Sequence, residues 1–363
     1  MIQLPRNAGL WLPGLVKHRW RRARREPPQR VWFMIGDHYE PLWMGATEAT
    51  GAARVTAWRR RWPEIAARFH DAAGRHPRHT FFFPEEEYRP GFLDPLGEMT
   101  AAGVADVEIH IHHDGESEQS FVARMSAFLD VLSRRHGLLR QWKGRTAFGF
   151  IHGNWALDNS RPDGRWCGLN DEITLLVKLG CYADFTEPSA PNATQVHMVN
   201  SIYWASDDPA KPKSHDYGTP LEPGEPDHPD DLLLVTGPLG LRWGNHGGGH
   251  AWLPRLDTGE VCSYDPPTPA RIRLWFDYAP QIGADLFIKV FTHGAQERHA
   301  QALLDGGLES LYRGLLAEAG RRGMQIYFAS AWEVRQALEA IRKRECPVQA
   351  VVGGSRQPVG ALD

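Results

Sequence analysis

Three histidines fall within four positions of the segment VEIHIHHD, residues 107–114. The segment alternates like a strand, and side chains two residues apart on a strand share a face. His110 and His112 should therefore project together, whereas His113 points to the opposite face or begins a turn. Two adjacent imidazoles at a strand end provide half of a metal site, because neutral histidine nitrogens bind zinc and related ions well.

Other apolar runs end in residues that can do similar chemistry. The run VWFMIGD ends in Asp37 and is followed by His38 and Glu40, and the run KVFTHG contains His293. Two further runs, FIHGNW and CYADF, supply the remaining candidates, which are His152, Asn154, Trp155 and Asp184. Active sites gather at the C-terminal ends of parallel strands, so we expect these side chains to share one site.

The residue types indicate which chemistry such a site would perform. Histidine nitrogens together with a carboxylate suit Zn²⁺ or another first-row divalent ion. Three protein ligands leave one coordination position for water, which the metal makes nucleophilic near neutral pH. A second carboxylate or imidazole can take the proton from that water, and a histidine across the pocket can protonate a leaving group. These roles predict hydrolysis of an amide or ester.

The elements that must position these residues alternate between strands and helices. The predicted strands are 31–37, 79–84, 107–113, 147–153, 181–185, 231–237, 285–294 and 324–330. The predicted helices are about 47–74, one that begins after Ser117, 171–180, about 297–320, and one that is capped by Ser330 and Glu333 and ends near 344. This alternation predicts an α/β fold with a parallel sheet, and seven or eight such units predict a closed or nearly closed (β/α) barrel.

The chain divides into three parts of unequal size. Residues 1–28 are predicted to form an exposed basic arm, whose cluster KHRWRRARR could make peripheral contact with an anionic membrane or with a partner. Residues 29–345 are predicted to form a single catalytic barrel domain. Within it, about 186–284 is rich in proline, glycine and aspartate, which predicts long loops or a small β insertion over the barrel mouth. Residues 346–363 are predicted to be a flexible tail.

Composition and charge restrict the class of protein. The formal net charge is -3, so no global charge points to nucleic acid. No apolar run reaches the length of a membrane span, and the basic cluster follows the N-terminal apolar patch, whereas a secretory signal has the opposite order. The cysteines are widely spaced without a CxxC pair, which is typical of reduced thiols. We therefore expect a cytoplasmic protein.

The strand order and strand endings resemble the polysaccharide deacetylase superfamily, the NodB-homology carbohydrate esterases. The resemblance covers about residues 31–340, and its best matches are His112 in EIHIHHDGE and His293 in KVFTHG. It implies an irregular seven-stranded barrel with long loops over its C-terminal mouth. It also implies a divalent metal ion, most often zinc, and deacetylation of an N-acetylated or O-acetylated saccharide.

The same resemblance implies a role for each candidate residue. Asp37 matches one member of the aspartate pair that supplies a base and a metal ligand, and His38 or Glu40 stands in for the other. Glu116 occupies the place of the second metal histidine, so His110 replaces it, and the implied metal ligands are Asp37, His38, His110 and His112. His293 would protonate the leaving amine, and Asp184 would orient one of the histidines.

One motif departs from the family pattern, and two other functions remain open. FIHGNW replaces an Arg-Pro-Tyr segment, so His152 or Asn154 would take over oxyanion or substrate contacts, and Trp155 could stack on a sugar ring. A glycoside hydrolase would instead use a carboxylate pair, for which Asp37 and Asp184 are the candidates. A third possibility is a non-catalytic carbohydrate-binding barrel that keeps a degenerate site.

Overall fold

The apolar runs of the sequence form the strands of one large sheet in the computed structural model, which describes residues 5–243 and 254–353. The strands in these ranges are β1 (Arg30–His38), β2 (His79–Pro84), β3 (Ala105–Ile111), β4 (Arg140–Trp142), β5 (Arg145–His152), β6 (Cys181–Asp184), β7 (Ile202–Ala205), β8 (Thr219–Pro220), β9 (Leu232–Val235), β10 (Gly240–Arg242), β11 (Arg255–Asp257), β12 (Gln281–Ile282), β13 (Asp285–Thr292) and β14 (Gln325–Phe328). The helices are α1 (Ala8–Arg22), α2 (Glu48–Ala66), α3 (Pro90–Ala101), α4 (Glu118–Asp130), α5 (Glu172–Leu179), α6 (Pro269–Tyr278), α7 (Glu297–Ala302), α8 (Leu308–Arg321), α9 (Ala331–Arg342) and α10 (Pro347–Val352).

Twelve of the strands form a mostly parallel sheet in the order β12-β13-β1-β2-β3-β5-β6-β9-β7-β8, with β14 beside β1 and β4 beside β5. The run from β13 to β9 is parallel throughout, whereas β12, β4, β7 and β8 pair antiparallel with their neighbours. Strands β10 and β11 form a separate hairpin. The predicted α/β class with a parallel sheet is confirmed, and closure of the sheet into a barrel stays a prediction.

Alternate side chains along the strands enter two different hydrophobic cores. On β1, Val31, Phe33 and Ile35 pack in one core with residues of α2, and we call this side of the sheet the α2 face. Trp32 and Met34 pack in another core with residues of α9, and we call this side the α9 face. Each fully buried large apolar side chain contributes about 1.5–3 kcal/mol, so both faces fix the register of the strands.

The helix boundaries follow local capping chemistry. Thr47 caps α2 by accepting a hydrogen bond from Thr50 N at 3.2 Å, and Ser117 caps α4 in the same way. The predicted helix over 47–74 is too long, because the Asp71 carboxylate accepts from the backbone N–H groups of residues 73 and 75 and closes a turn after α2. The predicted capping box of Ser330 and Glu333 at the start of α9 is confirmed.

Both chain ends that the structure describes are more ordered than the sequence predicts. The basic segment forms helix α1, and its Trp11 and Leu15 are buried against Val199 and Leu239. The expected exposed arm is therefore a packed helix, since one apolar face of the segment finds a partner surface. Residues of the expected flexible tail form α10, which buries Val351. Residues 1–4 of the predicted arm and residues 354–363 of the predicted tail lie outside the described residues.

The stretch predicted as a loop-rich insertion carries several short elements. It contains β7 to β12 and helix α6, joined by long segments without regular structure. Strand β9 within it pairs with β6 and so belongs to the main sheet. Every helix in the described part of the chain falls short of the length and apolar character that a membrane-spanning helix needs.

Candidate metal centre

The C-terminal ends of β1 and β3 bring Glu40, His110 and His112 together, and we call these three residues the open cluster. The parallel order places β2 between these two strands, and β2 stops at Pro84, so the side chains meet above its end. The Glu40 Oε1 atom lies 3.2 Å from His112 Nε2 and 3.8 Å from His110 Nε2. One donor atom from each residue lies within 4.8 Å of the others.

Hydrogen bonds at the far side of each imidazole orient the rings toward Glu40. His110 Nδ1 donates to the carbonyl of Ile151 at 2.8 Å, which leaves the Nε2 lone pair facing the cluster. His112 Nδ1 lies 2.5 Å from Glu86 Oε1. Histidines that bind metals usually donate their second ring nitrogen to a carbonyl or carboxylate in this way. The two rings are thus held as ligands would be.

Two potential ligand atoms of the open cluster are buried and have no hydrogen-bond partner among the residues that the structure describes. They are His110 Nε2 and Glu40 Oε2. A buried polar atom without a partner costs about 1–3 kcal/mol of stability, and a bound ion or ligand would remove that cost. The His112 side chain is 32% exposed, which leaves one side of the cluster accessible to a small molecule.

The charges of the open cluster are strongly coupled. Burial would raise the pKa of Glu40, but the imidazoles of His110 and His112 outweigh burial and hold it well below its usual range. Burial lowers the pKa of His112, but the carboxylates of Glu40 and Glu86 raise it to about 10. A protonated His112 therefore lies between two carboxylates, and a divalent cation would replace that proton.

Two further imidazoles flank the open cluster. The His38 ring lies 5.2 Å from the His110 ring and 4.9 Å from the His293 ring, between centroids. Burial holds the pKa of His38 well below its usual value, and the neighbouring His293 and His110 lower it further, so His38 is neutral near pH 7. The His293 side chain is partly exposed, and its Nδ1 lies 3.7 Å from Glu260 Oε1.

Asp37, predicted as a ligand or base, lies on the other side of the sheet from the open cluster. Its carboxylate accepts the backbone N–H of Gly294 at 2.6 Å and contacts His79 Nε2 at 2.8 Å. Residues 37 and 38 are neighbours on β1, so their side chains alternate, and Asp37 points to the α2 face beside Trp58. A Cβ atom at position 294 would lie 2.1 Å from Asp37 Oδ2, so this bond requires glycine.

The structure places the remaining predicted residues at different distances from the open cluster. Trp155 lies near the flanking His38, with ring centroids 6.3 Å apart, and the preceding Asn154 is partly exposed. His152 is fully buried on the α2 face, and its Nε2 lies 3.5 Å from Glu172 Oε1. Asp184 is also buried, and it accepts hydrogen bonds from the backbone N–H and hydroxyl of Thr186.

Three carboxylates near the predicted histidines are absent from the predicted site or have only a minor place in it. Glu40 was named only as an alternative to His38, and Glu86 and Glu260 were not considered. The signal for Glu86 was present, because the acidic run at 85–87 follows the strand that must lie between β1 and β3. The position of Glu260 follows from a single bridge to Phe291 on β13, which no local pattern predicts.

No protein-family model matches the chain, and no curated protein matches its sequence significantly. The donor atoms themselves indicate what the site can do. Two imidazoles and one carboxylate suit a divalent transition-metal ion, and three protein ligands leave coordination positions for water and substrate. A second group of buried donors, from His113, His152, Cys167 and Glu172, also lies within metal-binding distance.

Proposed function

We propose that the protein is a metal-dependent hydrolase whose ion is held by Glu40, His110 and His112. The observation that carries this proposal is the convergence of three oriented ligand groups, of which His110 Nε2 and Glu40 Oε2 have no other partner within residues 5–243 and 254–353. Zinc is the ion we expect, because nitrogen ligands and one carboxylate with an open position match its catalytic sites. The ion would supply Lewis acidity, which activates water and polarises a carbonyl group.

The flanking histidines provide the proton transfers that hydrolysis requires. His38 is kept neutral by burial and by its neighbouring imidazoles, so it can accept a proton near pH 7. His293 lies at the more exposed side of the site, with its Nδ1 3.7 Å from Glu260 Oε1. We assign His38 as the base and His293 as the acid that protonates the leaving group.

The substrate we propose is an N-acetylated or O-acetylated saccharide. The support is the resemblance of the segments around His112 and His293 to the polysaccharide deacetylases, together with Trp155 beside the site. An indole face stacks well on a sugar ring, and Trp155 is only half-buried. The same resemblance leads us to infer that the parallel run from β13 to β9 curves into an irregular barrel.

The alternative of a carboxylate pair has less support. Asp37 is bound by Gly294 and His79, and Asp184 is bound by Thr186, so both carboxylates have buried protein partners. Neither takes part in the group of donors around Glu40. A glycoside hydrolase would cleave sugar linkages without a metal, so an assay can distinguish it from a metal-dependent deacetylase.

The test compares Glu40→Gln with Glu87→Gln. The first change removes the anionic donor at nearly constant volume, whereas Glu87, on the turn beside it, accepts from Leu42 N and a glutamine oxygen can keep that bond. We expect wild type and Glu87→Gln to hold a divalent ion and release acetate from acetylated sugars, and Glu40→Gln to lose both. Chelator-resistant glycosidic cleavage, or no ion after zinc is added, would contradict the proposal.

A further inference from the structure

A second group of donor atoms lies on the α2 face, directly behind the open cluster. It consists of His113, His152, Cys167 and Glu172, and we call it the closed cluster because all four residues are buried. His113 follows β3, His152 ends β5, Glu172 begins α5, and Cys167 lies in the loop between. The cluster thus joins two strand ends, a loop and a helix.

The separations within the closed cluster match those between ligands of one ion. Glu172 Oε1 lies 3.1 Å from His113 Nε2 and 3.5 Å from His152 Nε2, and Glu172 Oε2 lies 3.4 Å from Cys167 Sγ. In a tetrahedral zinc site the bound atoms are about 3.3–3.8 Å apart, given the usual zinc–nitrogen and zinc–sulfur bond lengths. One ligand atom from each of the four groups lies within 4.8 Å of the others, so binding one ion requires only that these atoms move closer together.

In the closed cluster, the hydrogen bond of His152 leaves its Nε2 lone pair available to a metal ion. His152 Nδ1 lies 2.5 Å from the carbonyl of Gly153, to which it donates, so its Nε2 lone pair faces Glu172. That Nε2 atom is fully buried, and no hydrogen-bond partner for it is found in the described part of the chain. This is the arrangement of a ligating histidine, whose second nitrogen is fixed by a carbonyl.

The sulfur of Cys167 is placed as a thiolate ligand would be. It accepts hydrogen bonds from the backbone N–H groups of Asn159 at 3.3 Å and Leu169 at 3.4 Å. Without an ion, burial and the Glu172 carboxylate raise the pKa of the Cys167 thiol well above its usual value, so the thiol donates to Glu172; an ion bound among these groups would displace that proton. A soft thiolate beside two imidazoles is a ligand set that zinc prefers.

The closed cluster contains a buried carboxylate that a cation would stabilise further. The buried Glu172 carboxylate contacts imidazoles, the Cys167 sulfur and the backbone N–H of Asp158, and within the described ranges none of these contacts comes from lysine or arginine. A buried carboxylate is costly unless a cation or several hydrogen bonds compensate it. A divalent ion would balance the carboxylate and a thiolate together.

We propose that the closed cluster is a second metal centre, a structural zinc site with ligands from His113, His152, Cys167 and Glu172. Its four protein ligands fill a tetrahedral shell, so it has no position for substrate, as in structural zinc sites. The ion would fix the end of β3, and with it the neighbouring His110 and His112, against β5 and α5. This site does not depend on the hydrolase proposal.

Cobalt substitution tests this site separately from the open cluster. Only the closed cluster contains sulfur, so only its Co²⁺ complex gives an intense near-ultraviolet thiolate-to-metal absorption band. We expect wild-type protein to show the band and Cys167→Ser to lose it. Cys262→Ser changes a cysteine that is also buried, and it should keep the band, as should Glu40→Gln.

Two results would overturn the second metal centre. One is cobalt-loaded wild type without a thiolate band, which would mean that the four residues form a hydrogen-bonded network without an ion. The other is a band that survives Cys167→Ser. If Cys167→Ser does not fold, X-ray absorption at the zinc edge of wild type decides, because bound zinc must then show a sulfur neighbour.

Discussion

Both clusters take ligands from the end of β3, but they differ in exposure, in the number of possible ligands and in ligand type. These properties decide whether a metal is catalytic or structural. The open cluster lies on the α9 face, and its His112 is 32% exposed, whereas every residue of the closed cluster is buried. The open cluster has three possible metal ligands and two flanking histidines, and the closed cluster has four possible ligands, one of them the sulfur of Cys167. Catalytic metals need an open position and structural metals do not, so one strand end can serve both purposes.

The alternation of side chains along β3 explains why the two clusters lie on opposite faces of the sheet. His110 lies on the opposite face of β3 from Ile109 and Ile111, and His112 projects to the same side as His110. His113 follows immediately and packs against Phe121 of α4 on the α2 face, 5.2 Å between ring centroids. A shift of one residue in the register of β3 would exchange the two sets of ligands.

The largest expected effect is a loss of catalytic rate without a loss of stability, at His293 beside the open cluster. His293→Gln should lower the rate of acetate release by about 10²–10⁴-fold, because general acid catalysis contributes about that much. The partly exposed side chain should change the free energy of unfolding by less than about 0.5 kcal/mol. Steady-state kinetics and urea denaturation measure the two effects, and a loss of activity below tenfold would remove His293 from the mechanism.

The next effect concerns folding and belongs to the closed cluster. Glu172→Ala should lower the free energy of unfolding by about 3–5 kcal/mol, because it leaves buried His113, His152 and Asp158 N without their partner. Glu297→Ala is the control, since that glutamate is mostly exposed and pairs with Arg54, and its change should stay below about 1 kcal/mol. Equal losses in the two variants, by urea denaturation, would contradict the role of Glu172 in holding the closed cluster together.

A smaller effect is the pH dependence of the metal-free protein. The pKa of His112 is raised to about 10 by Glu40 and Glu86 against the effect of burial. The stability that this charge contributes is therefore complete below the unfolded pKa of about 6.5 and is lost as the pH rises toward 10. Metal-free wild type should lose stability over this range, and His112→Gln should lose less, by urea denaturation at each pH. Identical profiles would show that His112 is not the titrating group.

The smallest effect concerns substrate contact. Trp155→Ala should raise KM for an acetylated sugar about fivefold, corresponding to about 1 kcal/mol of lost stacking, with kcat and metal content little changed. Trp243→Ala is a suitable control, because that tryptophan is exposed and should leave KM unchanged. A change in metal content with Trp155→Ala would instead indicate a role in shaping the open cluster.

Local patterns in the sequence were enough to predict the sheet and part of the site. The two-residue period of β3 placed His110 and His112 together, and the apolar runs located the main parallel strands. The same period, applied to β1, separates Asp37 from His38, yet the resemblance grouped them as ligands. Alternation is a property of the strand itself, so it was the more reliable guide in this case.

The rest of the site depends on contacts that no local pattern contains. Glu40 lies beyond the end of β1, where the backbone no longer alternates. Cys167 reaches the closed cluster through a loop with several residues in left-handed backbone conformations, including Asn159 and Trp166. The resemblance implies a substrate contact for His152 or Asn154, but the position of His152 on β5 directs its side chain to the α2 face with Phe150.

The most direct test of the metal assignment at the open cluster is a crystal structure of zinc-loaded protein with anomalous data collected on both sides of the zinc edge. We predict a zinc peak bonded to Glu40, His110 and His112, with at least one position not filled by protein. A second peak is expected within the closed cluster. Absence of the first peak in fully zinc-loaded protein would contradict the assignment of Glu40, His110 and His112 as the catalytic metal site.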